Sequence, residues 1–436
     1  MSKDTTAARA GSAVSWQQLL GSCQTLFTSP GFAVFTCLLT GWVLTPGRRT
    51  ITRMLTVADP EGRRAHDAYH RFVRAGAWSM SALWKTLAVH AVTTLVPTGP
   101  VALDCDDTLF HRDGRQVDGA GVFRDAVRST VRKVVFARGL NLVVLTLRVH
   151  APWGGCPLGL PVNMRLHRKG GTTTVALAAQ MITELANWLP DRTFDLCADG
   201  AYSCLAGADL PRTSLTSRLR RDAALYETAP LPTGRPGRPA KKGARLPSPP
   251  KLAASATDWV LAEVQERGRT VSRLLWSRDV LWYTVSPDRM VRLVVVRDPN
   301  GVQPDDFFIT TDLTASPAEI ASRYAGRWSI EVTFRDTKQH LGGQQPQSWK
   351  GAGPERAAAL SLWLHTATWC WYISSYGTQR SWTPRAWYRT KTTPSFLDAL
   401  AALRRTLWTQ RITAMSNLGQ ASAKTLDNLL DTLAAA

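Results

Sequence analysis

Four side chains in one short segment, Tyr324, Arg327, Glu331 and Lys338, are of types that together handle phosphate. Successive residues of an α-helix advance by about 100°, so these four fall within an arc of roughly 60°. One carboxylate is then flanked on a single face by a phenol, a guanidinium and an ammonium. Such a stripe can hold a polyanion against a metal-binding acid. The alternative is a solvated salt-bridge face, in which Glu331 pairs with Arg327 and Arg335 at i±4. The helix itself is well marked. Ser316-Pro317-Ala318-Glu319 reads as a capping box with proline in the first turn, and Gly342-Gly343 supplies the stop.

Two further acidic positions stand upstream at the ends of apolar runs. Val101 to Phe110 reads as a strand carrying Asp104, Asp106 and Asp107, with Asp104, Asp106 and Thr108 on one face by alternation. Phe194 to Ala198 is a second apolar run and ends in Asp199-Gly200-Ala201-Tyr202. Carboxylates from two strand ends and one helix are what a two-metal phosphoryl-transfer site requires. Hard Mg²⁺ ions take oxygen ligands, and a metal pair can activate an attacking oxygen while stabilising the leaving one.

These motifs together resemble bacterial insertion-sequence transposases of the DDE class, the branch with a Tyr-x2-Arg-x3-Glu-x6-Lys signature. Tyr324, Arg327, Glu331 and Lys338 match that spacing without a gap, and Ala198 to Tyr202 is similar to the surroundings of the family's second acid. The resemblance runs from about residue 30 to about 410. It implies an α/β fold: an RNase H-like catalytic core interrupted by a β-rich insertion, with α-helical N- and C-terminal regions. It also implies that Asp106, Asp199 and Glu331 hold two Mg²⁺ ions, with Mn²⁺ as a substitute. Arg327, Lys338 and Tyr324 would contact terminal phosphates. The implied partners are double-stranded DNA, as transposon terminal repeats and as target, and a second copy of the chain in a synaptic homodimer.

The first acid is open among Asp104, Asp106 and Asp107, with the Asp-x-Thr spacing favouring Asp106. The same stretch fits the first motif of haloacid-dehalogenase-type phosphatases, with Asp104 as nucleophile. That chemistry needs a later Gly-Asp-x3-Asp, and no acid follows Asp199 until Asp209. A domesticated relative that binds DNA without cutting it is a further alternative.

Charge agrees with a polyanionic partner. Lys and Arg number 53 against 33 Asp and Glu, giving a formal net charge of +20. Seven scattered cysteines form no C-x2-C pair, which argues against zinc and against a disulfide framework. The best apolar stretch, 31–44, is too short to span a bilayer, and no signal-peptide pattern opens the chain, so a cytoplasmic, nucleoid-associated protein is expected.

Breaks in composition divide the chain. Residues 1–14 read as a disordered start, and 15–96 as an α-helical region for DNA binding or packing. The first part of the core occupies 97–228, followed by a basic, proline-rich linker (229–257) and the β-rich insertion (258–314). The Glu331 helix and the rest of the core fill 315–376, and a helical region (377–436) ends the chain. The linker should be extended, with Arg235, Arg238, Lys241 and Lys242 lying along DNA backbone. Of the insertion tryptophans Trp259, Trp276 and Trp282, two are expected in the core. The third is expected to be exposed on the side of Arg327 and Lys338 as a stacking partner for a base.

Overall fold

Runs of apolar residues too continuous for a half-exposed strand mark the centre of the molecule. The computed structural model describes residues 15–130, 132–230, 240–382 and 386–414, together with 429, 430 and 433. Five helices come first: α1 (Trp16–Gly21), α2 (Ser29–Leu44), α3 (Ile51–Ala58), α4 (His66–Ala75) and α5 (Met80–Leu95). Four strands follow, β1 (Val101–His111), β2 (Gly121–Arg124), β3 (Phe136–Val149) and β4 (Leu158–His167), then α6 (Thr174–Trp188) and β5 (Phe194–Ala198). A 3₁₀ helix (Gly200–Gly207) leads to β6 (Thr213–Arg218) and α7 (Pro249–Ser255). Next come β7 (Val260–Glu266), β8 (Arg269–Leu281), β9 (Met290–Arg297) and β10 (Asp306–Thr310), and finally α8 (Pro317–Gly326), α9 (Trp328–Gln339), α10 (Gly353–Tyr376) and α11 (Phe396–Ala414).

The strands form one sheet. β4, β3 and β1 pair antiparallel, and β1, β5 and β6 run parallel. This order places the helical connection α6 between β4 and β5, and it is consistent with an RNase H-like core. β3 is buried along most of its length because helices cover it, so its sequence reads as a solid apolar run. The segment expected as a separate insertion continues the same sheet instead, in the order β6-β10-β9-β8-β7. α10 is buried along nearly its whole length, with Trp363, Trp369 and Trp371 in the core as their apolar run requires.

The expected single helix through Tyr324 and Lys338 is interrupted at Gly326–Arg327. The cause is Arg148, whose Nη1 donates to the Arg323 carbonyl that a continuous helix would give to the Arg327 N–H. The Arg327 N–H turns to the Tyr324 carbonyl (3.1 Å) and Ile330 N–H to the Arg327 carbonyl (3.0 Å), a 3₁₀-like step that kinks the rod. The sequence-predicted capping box at Ser316 and Glu319 is present.

The basic linker is also corrected in part. Residues 240–246 are not an extended tether: Gly243 N–H donates to Glu227 and Leu246 N–H to Leu225, each through the backbone carbonyl. Lys242 stands 4.0 Å from the centre of the Tyr226 ring and 4.6 Å from that of Tyr283, so cation–π contact holds it against the protein. Lys241 is exposed. Arg235 and Arg238 lie outside the described residues.

Candidate active site

β1 delivers its acids to different places. Asp104 is fully buried and takes a two-pronged bond from Arg148, Nη2 at 2.6 Å and Nε at 3.1 Å, with Ser329 Oγ as a third donor at 3.1 Å. It is a structural anchor between β1, β3 and α9, held by three donors and closed to solvent. This removes Asp104 as a nucleophile and, with it, the phosphatase reading. Asp107 is on the opposite face of β1, where it accepts from Tyr202 Oη at 3.1 Å. Its side chain reaches solvent yet has protein atoms on most sides, and that desolvation raises its pKa against the pull of Tyr202.

Asp106 faces the kink. It accepts from Arg327 Nη1 at 2.8 Å, while Arg327 Nη2 donates to Glu331 at 3.0 Å. One guanidinium thus stands between a carboxylate from β1 and one from α9. The third acid enters through the sheet. Cys105 pairs in register with Ala198, so Asp106 and Asp199 sit one step beyond, on adjacent strands about 4.8 Å apart. The Asp199 carboxylate is not used to cap the 3₁₀ helix that it begins. Parity puts Asp106 and Asp199 on one face, under α9. Among the three candidates, Asp106 is the one that shares a face and a cation with Glu331.

Several contacts fix this geometry. Thr333 Oγ1 donates to the Gly159 carbonyl at 2.6 Å, seating α9 on β4. A Cβ at Gly159 would come within 2.9 Å of both the Ser329 carbonyl and Thr333 Oγ1, so only glycine lets the helix this close. Arg323 bridges Asp312 (2.9 Å) and Asp195 (3.5 Å), fixing α8 beside β5. Tyr324 packs on Phe308, with ring centroids 4.3 Å apart, and Arg327 lies 5.5 Å from its ring centre. Lys338, in the last turn of α9, lies over the Phe110 ring of β1 at 5.8 Å.

The electrostatics follow from crowding. Burial pushes Asp106 up to about 7, and Asp107 and Asp199 add to the rise against the opposing pull of Arg327. Burial disfavours the Arg327 charge, but Tyr324, Asp106, Glu331 and Asp199 more than offset it, so its pKa lies above the ordinary value. Burial lowers the Lys338 pKa, with Asp125 opposing.

Among the described residues, no three His, Cys, Asp or Glu side chains stand in a metal-holding cluster. The space between Asp106 and Glu331 holds the guanidinium instead, and its Nε is buried without a hydrogen-bond partner. The donors around that space are all carboxylate oxygens, the ligands hard divalent cations take. A positive charge already stabilises them. The side chains therefore fit a divalent ion chemically, once Arg327 yields the position it occupies.

Beside the acids, a cavity of about 660 Å³ opens between the β7–β8 hairpin and α8, where Arg267, Arg269 and Arg327 share the lining with Glu266, Asp298 and Asp306. The expected exposed insertion tryptophan is not found. Trp276 and Trp282 are buried, and Trp259 is half-buried beneath Arg297, 3.9 Å from its ring centre. The indole exposed beside this cavity is Trp328, 44% accessible, with Arg267 4.3 Å from its ring centre. Its only signal in sequence is its place beside Arg327. Arg148, the partner of Asp104, had none, because an ion pair across 44 residues leaves no local pattern.

The chain matches a family described as DDE superfamily endonuclease over residues 26–279, well over half its length. The chain belongs to that family. No curated protein matches it. The match spans β1 with Asp106 and the end of β5 with Asp199, and it stops before α8 and α9. The roles of Tyr324, Arg327, Glu331 and Lys338 therefore rest on geometry alone. Among the described residues, no helix is long and apolar enough to cross a membrane.

Proposed function

We propose that this endonuclease is a transposase that cuts the DNA ends of an insertion sequence and joins them to a target. The observation that supports the reading is that Asp106 and Glu331 share the Arg327 guanidinium, with Asp199 one step past the paired strand beside Asp106. Asp106, Asp199 and Glu331 would hold divalent ions, Mg²⁺ or Mn²⁺. When bound, such ions supply Lewis-acid polarisation of the phosphoryl group and activation of the attacking oxygen. Arg327 is held between two carboxylates without DNA and can exchange one of them for a phosphate, for which its forked donors are equally suited. Tyr324 lies beside it and Lys338 about three turns further along α9, so the kinked α8–α9 rod presents three phosphate ligands in a line that leads away from the acids. Exposed Lys241 adds a backbone contact; Lys242, clamped by two tyrosines, is withdrawn from that role. Two ends must be paired for joining, which calls for a homodimer.

The test uses a duplex carrying the DNA that flanks the gene, in MgCl₂. Glu331→Gln should bind this duplex within about threefold of wild type and nick it at least a thousandfold more slowly. Nicking by Glu331→Gln at the wild-type rate would overturn the reading. A wild-type protein that binds and never nicks would favour a domesticated DNA-binding role.

A further inference from the structure

The face that carries Asp106 extends beyond the site. Opposed residues of an antiparallel pair share a face. Register therefore leads from Asp106 and Phe110 to Val144 and Leu140, and onward along β3 to Arg138 and Phe136, which oppose Val122 and Arg124 of β2. Phe136 is 64% accessible and Val122 48%, and Arg124 is exposed. The turn beyond them adds Arg128, Arg132 and Lys133, all exposed, and Val127 at 87%.

The arm's single carboxylate does not compete with these cations. Asp125 is buried, bonded to His111 Nε2 at 2.8 Å and to the backbone N–H groups of Val127 and Arg128, with Arg128 Nε 3.6 Å away. What the arm shows to solvent is cationic and apolar. At its base, a groove with Arg115, Arg138, Trp349 and Lys350 continues the same character. Lys350 lies 4.5 Å from the exposed Trp349 ring centre, and Asp118 in that groove is bonded to the Gly351 N–H.

We propose that the β2–β3 arm grips duplex DNA about eight base pairs inward from the end that the acids hold. The inference rests on the endonuclease reading, because it takes Asp106 as the position of the DNA end. Asp106 to Phe110 and Leu140 to Phe136 are together eight residue steps, about 26 Å at about 3.3 Å each, or about eight base pairs at about 3.4 Å. Arginine and lysine neutralise phosphates at that distance, and the valines and Phe136 lie against the groove wall between them. Between the two ends Phe110 and Leu140 are buried, so the middle of the track is the surface of α9 that carries Lys338 over Phe110.

The test replaces Arg124, Arg128 and Lys133 together by alanine. All three are exposed, so the melting temperature should hold. The probes are labelled duplexes of arbitrary sequence, 6 and 24 base pairs long, titrated from 50 to 300 mM NaCl. The triple variant should bind the 24-base-pair duplex about tenfold or more weakly, with a salt slope shallower by about 2.7, and bind the 6-base-pair duplex as wild type does. Wild-type affinity and slope on the long duplex would overturn the arm's role and leave the endonuclease reading standing. Equal losses on both lengths would overturn the spacing. A changed oligomeric state with unchanged DNA binding would make the arm a contact between copies and overturn the proposal. Failure of the wild-type protein to bind either duplex would overturn both readings.

Discussion

Two aspartate–arginine pairs lie two residues apart on the same face of β1, and they do opposite work. Asp104 and Arg148 are both buried. Arg148 makes two bonds to the carboxylate, a third goes to the Arg323 carbonyl, and Ser329 completes the aspartate. Asp106 and Arg327 keep 21% and 12% of their side-chain surface, share a single bond, and leave Arg327 Nε without a partner. Arg327 also divides itself between Asp106 and Glu331. A saturated pair cannot rearrange without stranding charges in a low dielectric. An unsaturated one, at a helix kink, can release its carboxylates to another cation. The same residue types therefore make a strut at one position and an exchangeable pair at the other, and the difference is how many alternative partners are within reach.

The comparison breaks most visibly under parallel substitutions. Asp106→Asn should lower DNA nicking by about a thousandfold or more while leaving the melting temperature no lower, since it removes a desolvated carboxylate. Asp104→Asn should do the reverse: a stability loss of about 3–5 kcal/mol from the unpaired Arg148, read by denaturant unfolding, with activity per folded molecule largely kept. If Asp104→Asn proves as stable as wild type, the strut is not a strut, and the argument from saturation fails.

Much of this site was legible in the sequence because its signals are local. The capping box at Ser316, the acid at the end of β5, and the spacing from Tyr324 to Lys338 all lie within short windows, where periodicity speaks directly. Strand parity even separated Asp107 from Asp106. What escaped depends on contacts between distant segments. The kink at Arg327 exists because Arg148, from β3, takes the Arg323 carbonyl. The insertion joined the core sheet through β6 and β10, a pairing across some ninety residues that no window spans. Trp276 and Trp282 entered the core as expected, but Trp259 is half-buried under Arg297, a contact from β9 that its own segment does not announce.

A titration sharpens the contrast further. The folded protein raises Asp106 to about 7 from an ordinary value of 3.8, chiefly through burial. The native state therefore holds this proton more tightly than the unfolded chain does. Its contribution to stability is fully present below the ordinary carboxylate range and is lost as pH rises from about 4 through about 7. Without added metal, the melting temperature of Asp106→Asn relative to wild type should climb across that window and level off above it. A flat difference from pH 4 to 8 would show that Arg327 holds Asp106 ionised throughout, making it a second strut.

The smallest effect comes from the other face of β1. Asp107 is adjacent to Asp106 in sequence and also has a raised pKa, so titration alone does not tell the two apart. Its partner does: Tyr202 Oη donates to it at 3.1 Å, and parity turns it away from Glu331. Tyr202→Phe removes one hydrogen bond to a charged group, worth about 1–2 kcal/mol of stability. It leaves the Asp106–Arg327–Glu331 arrangement in place. Nicking should then fall by less than about tenfold in both Tyr202→Phe and Asp107→Asn, with the loss tracking stability rather than metal dependence. A thousandfold loss in Asp107→Asn, matched by a shift in the Mg²⁺ concentration needed for half-maximal rate, would move the first acid one residue along the strand. The face of β1 that meets α9 would then not be the face that does the chemistry.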